Sequence, residues 1–202
     1  MSINGIRKLF ISSAGDFRTE MDMTMNFNGH QTTNNMISIG HADKPEESII
    51  LDDEAKTYSV LNVNKLNLNN GTKTQSTVTK IGEENIMGFQ SVHARIFNTT
   101  TNSGMLITTD TMEIWKSSEI PLPDKVKEWI DHSDSKSMSV AFAPDVAPQL
   151  KQMGCVGMFV KIIVKGKNSS TNWELTKVEH KDLPASIFQI PAGYTEDKSA
   201  NF

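Results

Sequence analysis

The chain is 202 residues long and carries 20 Lys and Arg against 24 Asp and Glu, a formal net charge of −4. The basic residues are scattered rather than gathered in blocks, which argues against a nucleic-acid surface. Cys155 is the only cysteine, so no internal disulfide forms, and no stretch reaches the ~20 apolar residues of a membrane-spanning helix. This length suits one domain, taken as residues 1–202, able to bury roughly 70% of its unfolded surface.

In chain order, Met1 to Phe10 lacks the apolar core of a signal peptide. Ser13-Ala14-Gly15-Asp16 is a turn-forming cluster. Beyond it, Phe17, Thr19, Met21, Met23, Met25 and Phe27 take every second position, between Arg18, Glu20, Asp22, Thr24 and Asn26. A strand sends successive side chains to opposite faces, so this run predicts one thioether-rich apolar face and one charged, wetted face. Asn28-Gly29 ends it with a hairpin dipeptide. Ser48–Leu51 and Thr57–Asn62 read as a second hairpin with a charged tip over residues 52–56. Asn62–Thr77 offers little besides Leu66 and Leu68 to bury and reads as a loop or a ragged edge strand.

Phe89–Phe97 predicts a strand with Val92, Ala94 and Ile96 on one face. Met105–Lys116 predicts another, with Leu106, Met112 and Ile114 together, and residues 98–104 between them read as a wide turn. The spacing becomes helical at Pro123–Ile130, where Val126, Trp129 and Ile130 lie at i, i+3 and i+4 behind Pro121 and Pro123. A second short helix is expected over Asp145–Met153, with Pro148 in its first turn and Gly154 as its stop. Val156, Met158, Val160, Ile162 and Val164 predict a strand apolar on one face, with Phe159 and Ile163 adding to the other, hence deep in a sheet. Gly166–Asn172 turns the chain, Trp173–His180 returns it, Leu183–Tyr194 is held between Pro184 and Pro191, and residues 195–202 form a frayed tail. The expected class is α+β, mostly β, with eight to ten antiparallel strands in one curved sheet and two short helices.

The chemistry is sparse. None of His30, His41, His93, His132 and His180 has a second His or a Cys at i+2, i+3 or i+4, so neither a metal nor a cofactor is expected. No G-x-S-x-G elbow or phosphate-binding glycine loop occurs, and no catalytic residue is assigned. Glu46-Glu47, Asp52-Asp53-Glu54 and Glu83-Glu84 read as hydrated loop tips, because paired acids do acid–base work only in a cleft that shifts their pKa values. A hydrolase would need Asp110, Glu113 and His93 to converge in such a cleft. Cys155, opening an apolar run, reads as a buried, inert thiol. The methionine stripe reads either as ordinary core or as the lining of an apolar pocket closed by Val126, Trp129 and Ile130.

Several short motifs, in order, carry a resemblance. They are Arg18-Thr19-Glu20-Met21, Ile49-Ile50-Leu51-Asp52 before Lys56-Thr57-Tyr58, Ile86-Met87-Gly88-Phe89, Glu113-Ile114-Trp115 and the ending from Phe188 to Tyr194. From about Phe10 to Tyr194 the chain resembles a family of exported bacterial proteins without assigned function, common in Bacteroidetes-like genomes. That family is similar in fold to the LolA and LolB lipoprotein carriers. The resemblance implies an open, incomplete antiparallel β-barrel with the two short helices plugging its concave side. It implies a signal sequence and an initial strand upstream, Met1 being a truncated start, and a place in the periplasm or at the outer membrane. It carries no catalytic residue, and gives Gly88, Trp115, Pro191, Gly193 and Tyr194 roles in turns and packing. Tyr194 is expected to bury its ring and reach a backbone carbonyl with its hydroxyl.

The function expected is a non-enzymatic cell-envelope protein that binds a lipid, an acyl chain or a lipoprotein. Its cavity would be lined by Phe17, Met21, Met23, Met25, Phe27, Met112, Ile114, Val126, Trp129, Ile130, Met158, Val160 and Ile162. The expected partners are a lipid or lipidated protein and no nucleic acid, with the chain a monomer. The alternative is a structural module docking another envelope protein through a sheet face or edge.

Overall fold

The computed structural model describes residues 2–27, 30–62, 72–127, 145–166 and 170–198. The protein is mostly β, with two short helical segments, at residues 124–127 and Val146–Gln152, and a 3-10 turn at Ala185–Phe188. The strands form two sheets where one was expected. The first has the order β1 (Ser2–Ile11), β2 (Phe17–Phe27), β3 (His30–Gly40), β4 (Glu47–Asp52), β5 (Thr57–Asn62) and β11 (Thr195–Glu196). The second has the order β10 (Ser170–Glu174), β9 (Met158–Lys165), β8 (Met105–Ser117), β7 (Phe89–Asn102) and β6 (Thr72–Ile86). Pairing is antiparallel throughout except for β11, which runs parallel to β5. The chain divides into two units, each holding one sheet.

Where hydrophobic alternation is strong, the predicted strands appear as expected. Strand β2 spans the methionine run, and β4 and β5 flank the charged tip, which is shaped by Asp52. Its Oδ1 accepts from the backbone N–H groups of Glu54 at 3.0 Å and Ala55 at 2.8 Å, an Asx turn. Phe27 lies opposite His30, while Asn28 and Gly29 themselves fall outside the described residues.

Two strands carry no periodic signal: β3 was not expected, and β6 only in part, as the ragged-edge alternative for residues up to Thr77. The first six residues of β3 are polar and exposed, so its register comes from pairing with β2. Strand β6 buries only Val78 and Ile86 and is the polar edge of its sheet, where charged and hydroxylated residues discourage further pairing. It absorbs part of the segment read as a loop or ragged edge, whose residues 63–71 lie outside the described part.

The wide turn expected over residues 98–104 is a two-residue loop. Asn102 lies opposite Met105, leaving only Ser103 (φ 50°) and Gly104 (φ 81°) between the strands. Positive φ at both positions is the primed turn whose twist matches that of the flanking strands, and the threonine-rich run joins β7 because Thr suits a pleated ladder. The β6–β7 hairpin repeats the device with Met87 (φ 55°) and Gly88 (φ 88°).

In the second unit, one face of the sheet presents Val78, Ala94, Ile96 and Ile114, covered by Val146 and Leu150 of the short helix and by Cys155. The helix ends as predicted. Gly154 N–H donates to Lys151 O at 3.1 Å and Cys155 N–H to Leu150 O at 2.9 Å, the paired bonds of a Schellman stop around a left-handed glycine. Cys155 is buried, and its thiol donates to Val92 O at 3.6 Å. The other face holds Ile86, Trp115, Ile120 and Val160.

In the first unit Ile39, Leu51, Val126 and Phe188 are buried. The 3-10 turn docks on β2, and Arg18 donates to Ile187 O at 3.2 Å. Thr195 and Glu196, expected to be frayed, form β11 instead. Thr195 N–H donates to Lys56 O at 3.1 Å and Asp197 N–H to Tyr58 O at 2.8 Å. Tyr194 is a correction too. Its hydroxyl donates to the Asp53 carboxylate rather than to a carbonyl, and Lys56 Nζ stands 5.2 Å from its ring centre.

Candidate functional site

The residues expected to line one cavity divide between the two units. In the first, Met21 lies directly opposite Met36 on β3 and Arg7 on β1, and Met23 lies opposite Asn34 and Gly5. The same face carries Leu9, Ile50 and Leu61 by register. Leu9, Met21, Met23, Met36, Ile50 and Leu61 are all half-buried, and Thr19 and Gly40 are buried. Phe17 lays its ring against the backbone of Gly40, directly opposite, where an added Cβ would collide with it. Val126 is buried in the same unit. Met25 and Phe27 belong to β2, but their side chains, with Trp129 and Ile130 entirely, lie outside the described residues.

The charged face of β2 is not simply wetted. Register places Arg18, Glu20 and Asp22 on the same side as Ile39, Ile37 and Leu51, and two of those apolar side chains are buried. A concavity of about 220 Å³ lies here, bordered by Glu20, Asp22, Asn35, Ile37, Leu51 and Asp53. Met21 and Met36, whose side chains alternate to the opposite face, complete its border. It is smaller than the ~300–1,000 Å³ typical of small-molecule pockets, and three carboxylates ring it.

In the second unit the expected lining residues part company at a bulge. Ile114 lies opposite Ile162 and Trp115 opposite Lys161, but Lys116 lies opposite Phe159, so Val160 is the extra residue of β9. Beyond a bulge the alternation inverts. Ile162 and Met112 therefore pack with the helix-covered core, whereas Met158 and Val160 join Trp115 on the opposite face. The single apolar face read for β9 is two faces, and β9 lies one strand in from the edge of the sheet.

That opposite face carries a polar row that crosses all five strands. His93 on β7 stacks on Trp115 of β8, ring centres 3.9 Å apart and planes at 15°. Its Nε2 is 3.0 Å from Glu113 Oε2 and its Nδ1 is 3.7 Å from Glu84 Oε1. Glu84 also accepts from the indole N–H of Trp115, and Arg95 Nη2 donates to Glu113 Oε1 at 3.1 Å. Lys161 Nζ lies 5.3 Å from the Trp115 ring and 2.9 Å from Glu174 Oε2. Burial opposes ionisation of Glu113, but the His93 hydrogen bond and the charge and hydrogen bond of Arg95 outweigh it, and its carboxyl lies below the usual range.

Glu84 is thus a strand residue in an ion-pair row, not a hydrated loop tip as the sequence suggested. Missing it followed from missing β6. Of the three residues a hydrolase would need, His93 and Glu113 meet, while Asp110 accepts from Asn98 Nδ2 at 2.8 Å on the helix-covered face. Both ring nitrogens of His93 face carboxylates and an indole covers the ring, so the imidazole is held as a cross-strand tie. Among the described residues no cluster of three His, Cys, Asp or Glu side chains could hold a metal ion, and no helix is long and apolar enough to cross a membrane.

No curated protein and no solved structure matches the chain. One family profile does, across residues 2–194, nearly its whole length. With that extent of match, the chain belongs to the family described as a domain of unknown function, DUF4412.

Proposed function

We propose that this is a non-enzymatic protein of the bacterial cell envelope that shelters an apolar chain, from a lipid or a lipidated protein, on the methionine face of its first sheet. In this reading the fold is related to that of the LolA and LolB lipoprotein carriers. The observation that carries the proposal is the incomplete cover of that face. Leu9, Met21, Met23, Met36, Ile50 and Leu61 all retain exposure, although a sealed core would bury them. Thioethers are unbranched and polarisable, so such a surface adapts to chains of differing shape. Each methylene covered contributes about 0.8 kcal/mol, enough for a medium-length chain to bind usefully. The concavity on the other face is too small and too acidic to take that role.

Native mass spectrometry after incubation with dodecyl maltoside or lysophosphatidylcholine tests this. The wild-type protein is expected to retain one amphiphile and the Met21→Ser/Met36→Ser variant to lose it. A wild-type protein that retains neither probe ends the proposal. The alternative, a module docking another envelope protein, draws on one observation. Among the described residues strand β1, ten residues long, pairs only with β2, and its outer edge there offers a ladder for an added strand.

A further inference from the structure

Exposed large apolar side chains occur mostly one at a time, as Ile6, Val60, Ile81, Met87, Phe97 and Trp173. The β7–β8 hairpin departs from this. Met105, Leu106 and Ile107 follow one another at its tip and are 73%, 64% and 55% exposed. Isolated surface hydrophobes need no explanation, but a contiguous group at the end of a projecting hairpin does. Leu106 shared the face of Met112 and Ile114 in the periodic reading, yet the tip lies beyond the region that the helix covers.

We propose that this tip inserts into the interfacial layer of a lipid bilayer. Met105 and Leu106 are consecutive, so they point to opposite faces of the ribbon, and Ile107 is the unpaired residue of a bulge between Leu106, opposite Thr101, and Thr108, opposite Thr100. The tip is therefore apolar on both sides. A protein groove or a second copy would cover one side and leave the other wet, whereas a bilayer covers both. Behind the tip the chain is uncharged. Residues 98–109 contain only Asn, Thr, Ser and Gly besides the three apolar residues. Lys73 of β6 stands in the row of Thr101 and Leu106, from which its long side chain can reach back to phosphate headgroups. Three strand residues extend about 10 Å, which matches the depth to which interfacial segments bury their apolar side chains.

The tip belongs to the second sheet and the methionine face to the first. Its test is co-sedimentation of the full chain with sucrose-loaded vesicles of phosphatidylcholine, alone or mixed with phosphatidylglycerol. The wild-type protein is expected to pellet with both, more with the mixture. Leu106→Ser/Ile107→Ser should lower partition at least about tenfold on both with an unchanged melting curve, since the replaced side chains are largely in water. Lys73→Glu should weaken binding only to the anionic mixture, and Met21→Ser/Met36→Ser should leave partition unchanged. Equal partition of the tip variant and the wild type, or no pelleting of the wild type with either vesicle, overturns the proposal. So does a concentration-dependent dimer that the tip variant abolishes, which would make the tip a contact between copies of this chain.

Discussion

His93 ties three strands of the second sheet together. It is buried against Trp115, with Nε2 within hydrogen-bond distance of Glu113 on one neighbouring strand and Nδ1 3.7 Å from Glu84 on the other. Glu113 holds the row together, accepting from Arg95 and pairing with His93 while 15% of its side chain remains exposed. Its folded-state pKa lies below the unfolded value, so the stability it contributes is complete above the ordinary carboxylate range and disappears as pH falls through the folded value. Glu113→Gln should cost about 1–3 kcal/mol at neutral pH. Urea unfolding of both proteins should show that difference shrinking towards zero in acid. A pH-independent difference would mean the glutamate acts by packing alone. Gly40 makes a steric claim at the same scale. Gly40→Ala drives a methyl into the Phe17 ring and should cost about 1–3 kcal/mol, and Phe17→Leu in the same chain should recover part of the loss in a thermal melt.

At the scale of elements, the bulge at Val160 decides which core each residue of β9 serves. A strict two-residue period puts Met158, Val160 and Ile162 on one face, and the extra residue moves the first two to the Trp115 side. Nothing local announces the shift, because a bulge is defined only against a partner strand. A double-mutant cycle detects it. Val160→Ala and Trp115→Phe should couple by about 0.5 kcal/mol or more, while Ile162→Ala and Trp115→Phe should add within error. The same blindness hid the His93–Glu113 pair. Reading residues 98–104 as a wide turn withheld the register that makes them neighbours. By contrast, the helix at Val146–Gln152 and its glycine stop were legible, since every bond of the stop closes within six residues.

Across the whole molecule, protection follows position in the sheets. Strands β7 and β8 are central in the second sheet and carry Ala94, Ile96 and Ile114 with no exposed surface. Strand β10 is an edge strand with every residue exposed. Native-state hydrogen exchange should therefore find the slowest amides on β7 and β8 and the fastest strand amides on β10. Comparable protection on β10 would mean that something not yet identified covers that edge.

The sequence by itself determined what acts over a few residues. It set the extent of β2, the β4–β5 hairpin, the short helix and its glycine stop, and the burial of a lone thiol. These follow from side-chain period, turn geometry and backbone hydrogen bonds that close locally. Only the tertiary structure decided the division into two sheets, the bulges, and the matching of polar groups such as His93 with Glu113, 20 residues apart, and Tyr194 with Asp53, 141 apart. The energy of such a pair does not exist until the strands lie side by side. An isolated strand looks the same before and after a one-residue slip, but its cross-strand partners do not.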